Sequence, residues 1–239
     1  MTRRPSVLTL FGTLMVPFLI SSCAAGGVVG HTSNGSRLVV VAAENTWGSI
    51  AAQLGGNQVA VTSIVSDPNA DPHEYESSPA DARLMASANY VIVNGAGYDT
   101  WAPQLLAAQP EASRRVLDVA NLVGKVPGDN PHFWYDPGFV DRVVARITTA
   151  YEALRPAESA YFEAQASAFT LLLAPYKQSL AYIQQPFAGV PVASPESIFQ
   201  YMAQSAELDR VTPPPTRNAV RRGHHPPPAG QRRLPRTPT

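Results

Sequence analysis

From Arg37 to about residue 130, short β-prone apolar runs alternate with segments whose apolar residues fall on one helical face. No other feature of the chain restricts its architecture as tightly, because this alternation is satisfied only by strands and helices packed in layers around a mainly parallel sheet. Residues 38–43 form a continuous apolar run. In 47–54 the apolar positions Trp47, Ile50, Ala51 and Leu54 share a helical face. Residues 59–65 read as a second strand and 79–88 as a second helix with Pro79 at its start. Residues 90–93 read as a third strand that ends at Asn94-Gly95. Residues 98–108 and 116–119 continue the order. The expectation is an α/β lobe of three layers.

After Asp136-Pro137 the pattern becomes helical for almost fifty residues. Residues 139–154 make one amphipathic segment, Pro156 interrupts, and 157–184 make a longer one that Pro175 breaks at most locally. A long helix running from one lobe to another accounts for such a stretch. Residues 190–193 then read as a buried strand and 196–203 as its helix, the start of a second lobe. The expected organisation is an N-terminal α/β lobe over 37–155, a linking helix over 156–186 and the beginning of a C-terminal lobe over 187–205. This amounts to two Rossmann-like lobes, the second incomplete.

Composition marks off the two ends. The chain has 239 residues, 45% hydrophobic and 15% charged, enough for one or two packed domains. Its eighteen basic residues balance eighteen acidic ones, which excludes an overall field directed at nucleic acid or an anionic membrane. Arg3 and Arg4, an apolar run over 7–20 and Ser21-Ser22-Cys23 read as an export signal over 1–22. The run Ile20-Ser21-Ser22-Cys23 resembles a bacterial lipobox, which implies a lipidated Cys23 followed by a flexible tether over 23–36. With one cysteine in the chain, disulfides and thiolate metal sites are excluded from the mature domain. Residues 206–239 hold seven Arg, eight Pro and no aromatic residue, the composition of a separate tail.

Chemistry concentrates in two loops. After the second strand comes Asp67-Pro68-Asn69-Ala70-Asp71-Pro72-His73-Glu74-Tyr75-Glu76, with four acids and one histidine in ten residues. Asn130-Pro131-His132-Phe133-Trp134-Tyr135-Asp136-Pro137 supplies a second histidine, again between a strand and a helix. Ligands of open α/β sheets bind beyond the carboxyl ends of strands, where both loops fall, and Glu196 follows the 190–193 strand in the same way. Flanking prolines stiffen each histidine loop, as a preformed site requires. Imidazole with carboxylate is a donor set for zinc, manganese or iron. Spacing by itself leaves the alternative open: a histidine in a polar loop is commonly solvated, and a glutamate in a first helical turn complements the helix dipole.

The motifs Ala43-Glu44-Asn45 with Trp47-Gly48, Asn69-Ala70-Asp71-Pro72-His73-Glu74-Tyr75-Glu76, and Val93-Asn94-Gly95-Ala96-Gly97-Tyr98-Asp99 with Trp101 closely resemble the zinc/manganese-binding solute receptors of ABC importers. So do Asn130-Pro131-His132 with Trp134, and Ser194-Pro195-Glu196 with Phe199 and Tyr201. The resemblance covers about 38–205. It implies two α/β lobes joined by one long helix, with one metal between them held by His73, His132 and Glu196. It also implies a monomeric receptor on the outer face of the cytoplasmic membrane, lipid-anchored at Cys23. Its partners would be the permease and ATPase of the importer; no nucleic acid and no catalysis are expected. A glutamate at the third position goes more often with manganese or iron and a histidine with zinc. Zinc nevertheless outbinds manganese intrinsically, so Zn2+ and Mn2+ both stand.

Two departures qualify the expectation. The resemblance calls for a fourth ligand, an aspartate far into the second lobe, and no residue here matches it. The 206–239 composition is also what a shifted reading frame of GC-rich DNA yields, so His224-His225 reads as accidental translation ahead of metal capture or a nucleic-acid arm, and loss of most of the second lobe would leave the receptor defective. Two other functions compete: a surface lipoprotein acting in adhesion, and a zinc hydrolase with Glu74 as base. The hydrolase lacks any His-Glu-x-x-His helix to support it.

Overall fold

The computed structural model describes residues 36–67, 69–194 and 197–211. Cys23, Glu196 and His224-His225, each singled out by the sequence, lie outside them. Four strands, β1 (Leu38–Glu44), β2 (Val59–Val65), β3 (Tyr90–Val93) and β4 (Arg115–Asp118), pair in parallel in the order β2-β1-β3-β4. The chain leaves β1 towards one side to build β2 and returns past it to build β3. The winding therefore reverses between β1 and β3, and the carboxyl ends at such a reversal are where ligands of open α/β sheets bind.

β1 is buried on both faces, which is why it reads as an unbroken apolar run instead of an alternation. Val40 and Ala42 face one core, shared with α1 (Asn45–Gly55) and α5 (Pro137–Leu154) through Trp47, Leu54, Val143 and Ile147. Val41 and Ala43 face a second core, shared with α2 (Pro79–Ser87) and α3 (Trp101–Ala108) through Met85 and Trp101. The three layers and the parallel sheet are those that the patterning implied. A Cβ at Gly48 would lie 2.0 Å from Ser63 Oγ, so α1 can cross β2 this closely only with glycine there.

Short elements escape the patterning. Helix α4 (Val119–Val123) is a single turn and a half, capped by the Asp118 carboxylate on Asn121 N–H at 2.9 Å and closed by Gly124 in the left-handed region (φ +75°). Helix α5 starts where Asp136 accepts from the backbone N–H groups of Gly138 and Phe139, with Pro137 at its first position.

Helix α6 (Ser159–Phe187) runs 29 residues through both Pro175 and Pro186. Its first half packs on the first core, where Phe162 is fully buried against Tyr151 at 5.2 Å between ring centres. From its middle onward it exposes Leu171, Leu172 and Tyr182. Beyond it, β5 (Pro191–Val192) pairs in parallel with β6 (Asp209–Arg210) across α7 (Gln200–Ser205), so residues 206–211 complete a small βαβ unit. Among the described residues no helix is long and apolar enough to cross a membrane.

Candidate metal site

Two buried acids lie at the carboxyl ends of β1 and β3. Glu44 ends β1 and is 3% exposed; Asp99, on the loop after β3, is 1% exposed. Asp99 accepts from the backbone N–H groups of Asn94 at 2.7 Å and Gly95 at 2.9 Å, which folds residues 94–99 into a tight loop. Gly95 has φ +76°, and a Cβ on it would fall 2.4 Å from an Asp118 carboxylate oxygen, so the loop is closed to other residues there. Burial, then the Asp99 charge, hold the Glu44 carboxyl well above the usual carboxylate range. Burial also raises Asp99, against the backbone bonds that favour its charged form.

That loop delivers Tyr98, whose ring forms the wall on which both predicted histidines pack. The His73 ring lies edge-on to Tyr98 at 4.6 Å and the His132 ring at 6.0 Å; Trp134 closes the group at 5.6 Å from Tyr98 and 5.4 Å from His132. Burial, with the Glu44, Asp71 and Asp99 charges adding to it, raises the Tyr98 phenol, which stays neutral.

His73 is exposed on a loop whose bonds are local. Asn69 N–H bonds Asp67 Oδ1 at 2.8 Å, His73 N–H bonds Asp71 Oδ1 at 2.9 Å, and Glu74 N–H bonds Asp71 O at 3.1 Å. The first two are side-chain-mediated turns of the kind aspartate favours, and the third is a backbone turn. Asp71 is thus a turn former and Asp81 the capping-box partner of Ser78, while Tyr75 anchors the loop's end with its hydroxyl on Asp81 at 3.0 Å and its ring against Trp101 at 5.0 Å.

His132 is held differently. The buried Asn94 carboxamide accepts from Trp47 Nε1 at 2.8 Å and donates to Pro131 O at 3.0 Å, tying the residue before His132 to α1 and β3. His132 Nδ1 lies 2.6 Å from Asn130 Oδ1. Burial, then the neighbouring His73, lower the His132 imidazole to about 4, so the ring is neutral throughout the physiological range. A neutral imidazole with one nitrogen committed to a carboxamide presents the other to a metal with no proton to displace.

Two imidazoles from separate loops thus share one wall at the carboxyl ends of parallel strands. Among the described residues, no group of three or more His, Cys, Asp or Glu side chains gathers to hold an ion. The family model described as zinc-uptake complex component A, periplasmic, matches residues 40–234. The chain belongs to this family. The manganese-binding lipoprotein MntA of Halalkalibacterium halodurans is 24% identical over 208 residues, 83% of this chain and 67% of its own length. The manganese ABC transporter substrate-binding lipoprotein PsaA of Streptococcus pneumoniae is 25% identical over 226 residues, 86% of this chain and 69% of its own. This chain therefore spans about two thirds of the length of both lipoproteins. The crystal structure of Zn(II)-bound AdcA from Streptococcus pneumoniae superposes with a TM-score of 0.66 at 19% identity, covering 76% of this chain and 40% of AdcA. That likeness shows a shared fold.

Within the family's frame, several residues that hold the site carried no signal of their own in the sequence. Glu44, Asn94, Asp99 and Asn130 stood only as letters of motifs. A glutamate closing an apolar strand, where a solvated charge would be out of place, is the one sign that could have flagged Glu44.

Proposed function

We propose that this chain is the extracytoplasmic receptor of an ABC importer for a divalent transition metal, Zn2+ or Mn2+, with the ion as its cargo. His73 and His132 are the nitrogen donors, and Glu196 supplies the third, oxygen donor. The observation that carries the reading is the meeting of two imidazoles on Tyr98 beyond the parallel strands, one of them held neutral by burial. The named relatives bind manganese or zinc, and an oxygen donor beside two imidazoles admits both. Such a receptor binds one ion stoichiometrically and turns nothing over. The importer's permease and ATPase are its partners, and a lipidated Cys23 tethers it, as a monomer, to the outer face of the cytoplasmic membrane.

Metal content and thermal unfolding of residues 24–239 test this, with His224→Ala/His225→Ala as background so that the tail cannot contribute. A ligand that binds only the folded state raises the melting temperature. One equivalent of Zn2+ or Mn2+ and an upward shift are expected, both lost in the His73→Ala/His132→Ala double variant and weakened in Glu196→Ala. A shift that survives the double variant would refute the assignment.

A further inference from the structure

The Asn130 side chain has two ends with different work. On one side its Oδ1 lies 2.6 Å from His132 Nδ1 and accepts the His132 backbone N–H at 3.2 Å. On the other its Nδ2 donates to Ser197 O at 2.6 Å and to Gln200 Oε1 at 3.2 Å, while the backbone carbonyl of Asn130 receives the Tyr201 hydroxyl at 2.8 Å. The orientation of the amide is decided by Ser197, because a carbonyl oxygen must face a donor and only the NH2 end can serve. The oxygen therefore faces His132, and His132 Nδ1 must carry the proton. That leaves His132 Nε2 with its lone pair.

From this juxtaposition we infer that Asn130 is a positioning residue that fixes His132 in its Nδ1–H form and ties that ring mechanically to the second βαβ unit. The segment 197–205 is then not a bystander. Tyr201 packs against Phe133 at 6.0 Å and Phe139 at 5.4 Å, and Lys125 lies 5.6 Å from the Tyr201 ring, so the unit is seated on the same element that carries His132. Any displacement of this unit pulls on Asn130 Nδ2 and turns the carboxamide away from the imidazole. Conversely, an ion that holds His132 Nε2 stiffens the carboxamide and, through Ser197 O, the unit beyond. The consequence for metal rests on the reading of His132 as a ligand; the consequence for the tautomer does not.

Substitution separates the two ends. Asn130→Asp keeps an acceptor for His132 Nδ1–H but loses the donor to Ser197 and places a charge against its carbonyl. Asn130→Ala loses both. In the metal-free protein, 15N-histidine correlation spectra should show His132 as the Nδ1–H form in the parent chain and in Asn130→Asp, and a shift towards the Nε2–H form in Asn130→Ala. With Zn2+ added, amide hydrogen exchange over 197–205 should slow in the parent. Asn130→Asp should bind Zn2+ within a few-fold of the parent yet lose that slowing, while Asn130→Ala should bind about 10–100-fold more weakly. Gln200→Leu, which leaves the His132 contact intact, should reduce the slowing without changing the tautomer. An unchanged His132 tautomer in Asn130→Ala, or full slowing in Asn130→Asp, would overturn the inference. If His132→Ala leaves Zn2+ affinity unchanged while Asn130→Ala still switches the tautomer, the ligand reading fails and the positioning role stands.

Discussion

The two histidine loops of the proposed site are held by opposite means. The backbone N–H groups of the His73 loop bond neighbours two or three residues away, and the loop meets the rest of the lobe through Tyr75 on Asp81 and Trp101 and through the His73 ring on Tyr98. The His132 loop is held by residues from 37 to 71 positions away: Asn94 on Pro131, Tyr176 on Tyr135 O at 2.9 Å, and Ser197, Gln200 and Tyr201 on Asn130. Local turns can open and close without disturbing the core, while a loop bonded to four other elements moves only if they do. His132 is the more widely bonded member of the pair, and under the proposed metal reading His73 is the one expected to adjust to an ion.

The largest departure from this contrast should come from Trp47→Ala. Trp47 is fully buried, packs edge-on at 6.3 Å from Trp134 and anchors Asn94, so its loss should cost about 3–5 kcal/mol of stability in chemical denaturation. Metal binding should fall with it, because the His132 side collapses. Asn94→Leu comes next: it strands the Trp47 indole N–H and Pro131 O, at about 1–3 kcal/mol for each orphaned partner, while exchange rates in the His73 loop stay unchanged. If His73 loop amides speed up as much as those of 131–135, the two loops are not independent.

Glu44→Gln probes the base they share. Glu44 has a raised folded pKa, so the folded chain retains a proton that the unfolded chain releases near the ordinary carboxylate value. The stabilisation is complete below that value and is lost as pH rises through the raised one. Melting temperature of the parent, followed upward from pH 5, should therefore decline through this window, and Glu44→Gln should flatten the decline. An equally steep decline in the variant would mean that Glu44 does not hold the proton. The smallest effect belongs to Asp71→Ala, which removes one exposed turn bond: a loss of about 0.5–1.5 kcal/mol at most, with metal affinity reduced only a few-fold.

How much of this was legible in the sequence follows the same division. Strands β1 to β3 and helix α5 were readable to within a residue or two, because the strands are apolar runs bounded by polar or turn residues and the helix is long enough for its apolar period to show. Helix α4 and the 3-10 turn at Phe133–Tyr135 are too short for any period. The helix expected over 98–108 begins only at Trp101, since Asp99 spends its carboxylate on the preceding loop. His73 and His132 were reached through resemblance. Spacing could not join them, as they come from loops after different strands and meet only through Tyr98. Asn94 and Asn130 were invisible as site residues because asparagine in a loop ordinarily means a turn. Only the fold shows what their carboxamides reach.

X-ray absorption of the chain loaded with one equivalent of Zn2+, in the His224→Ala/His225→Ala background, tests the central claim most directly. The account predicts two imidazoles in the first coordination shell, one in His132→Ala and one in His73→Ala. A shell without imidazole, or one that neither substitution alters, would contradict it.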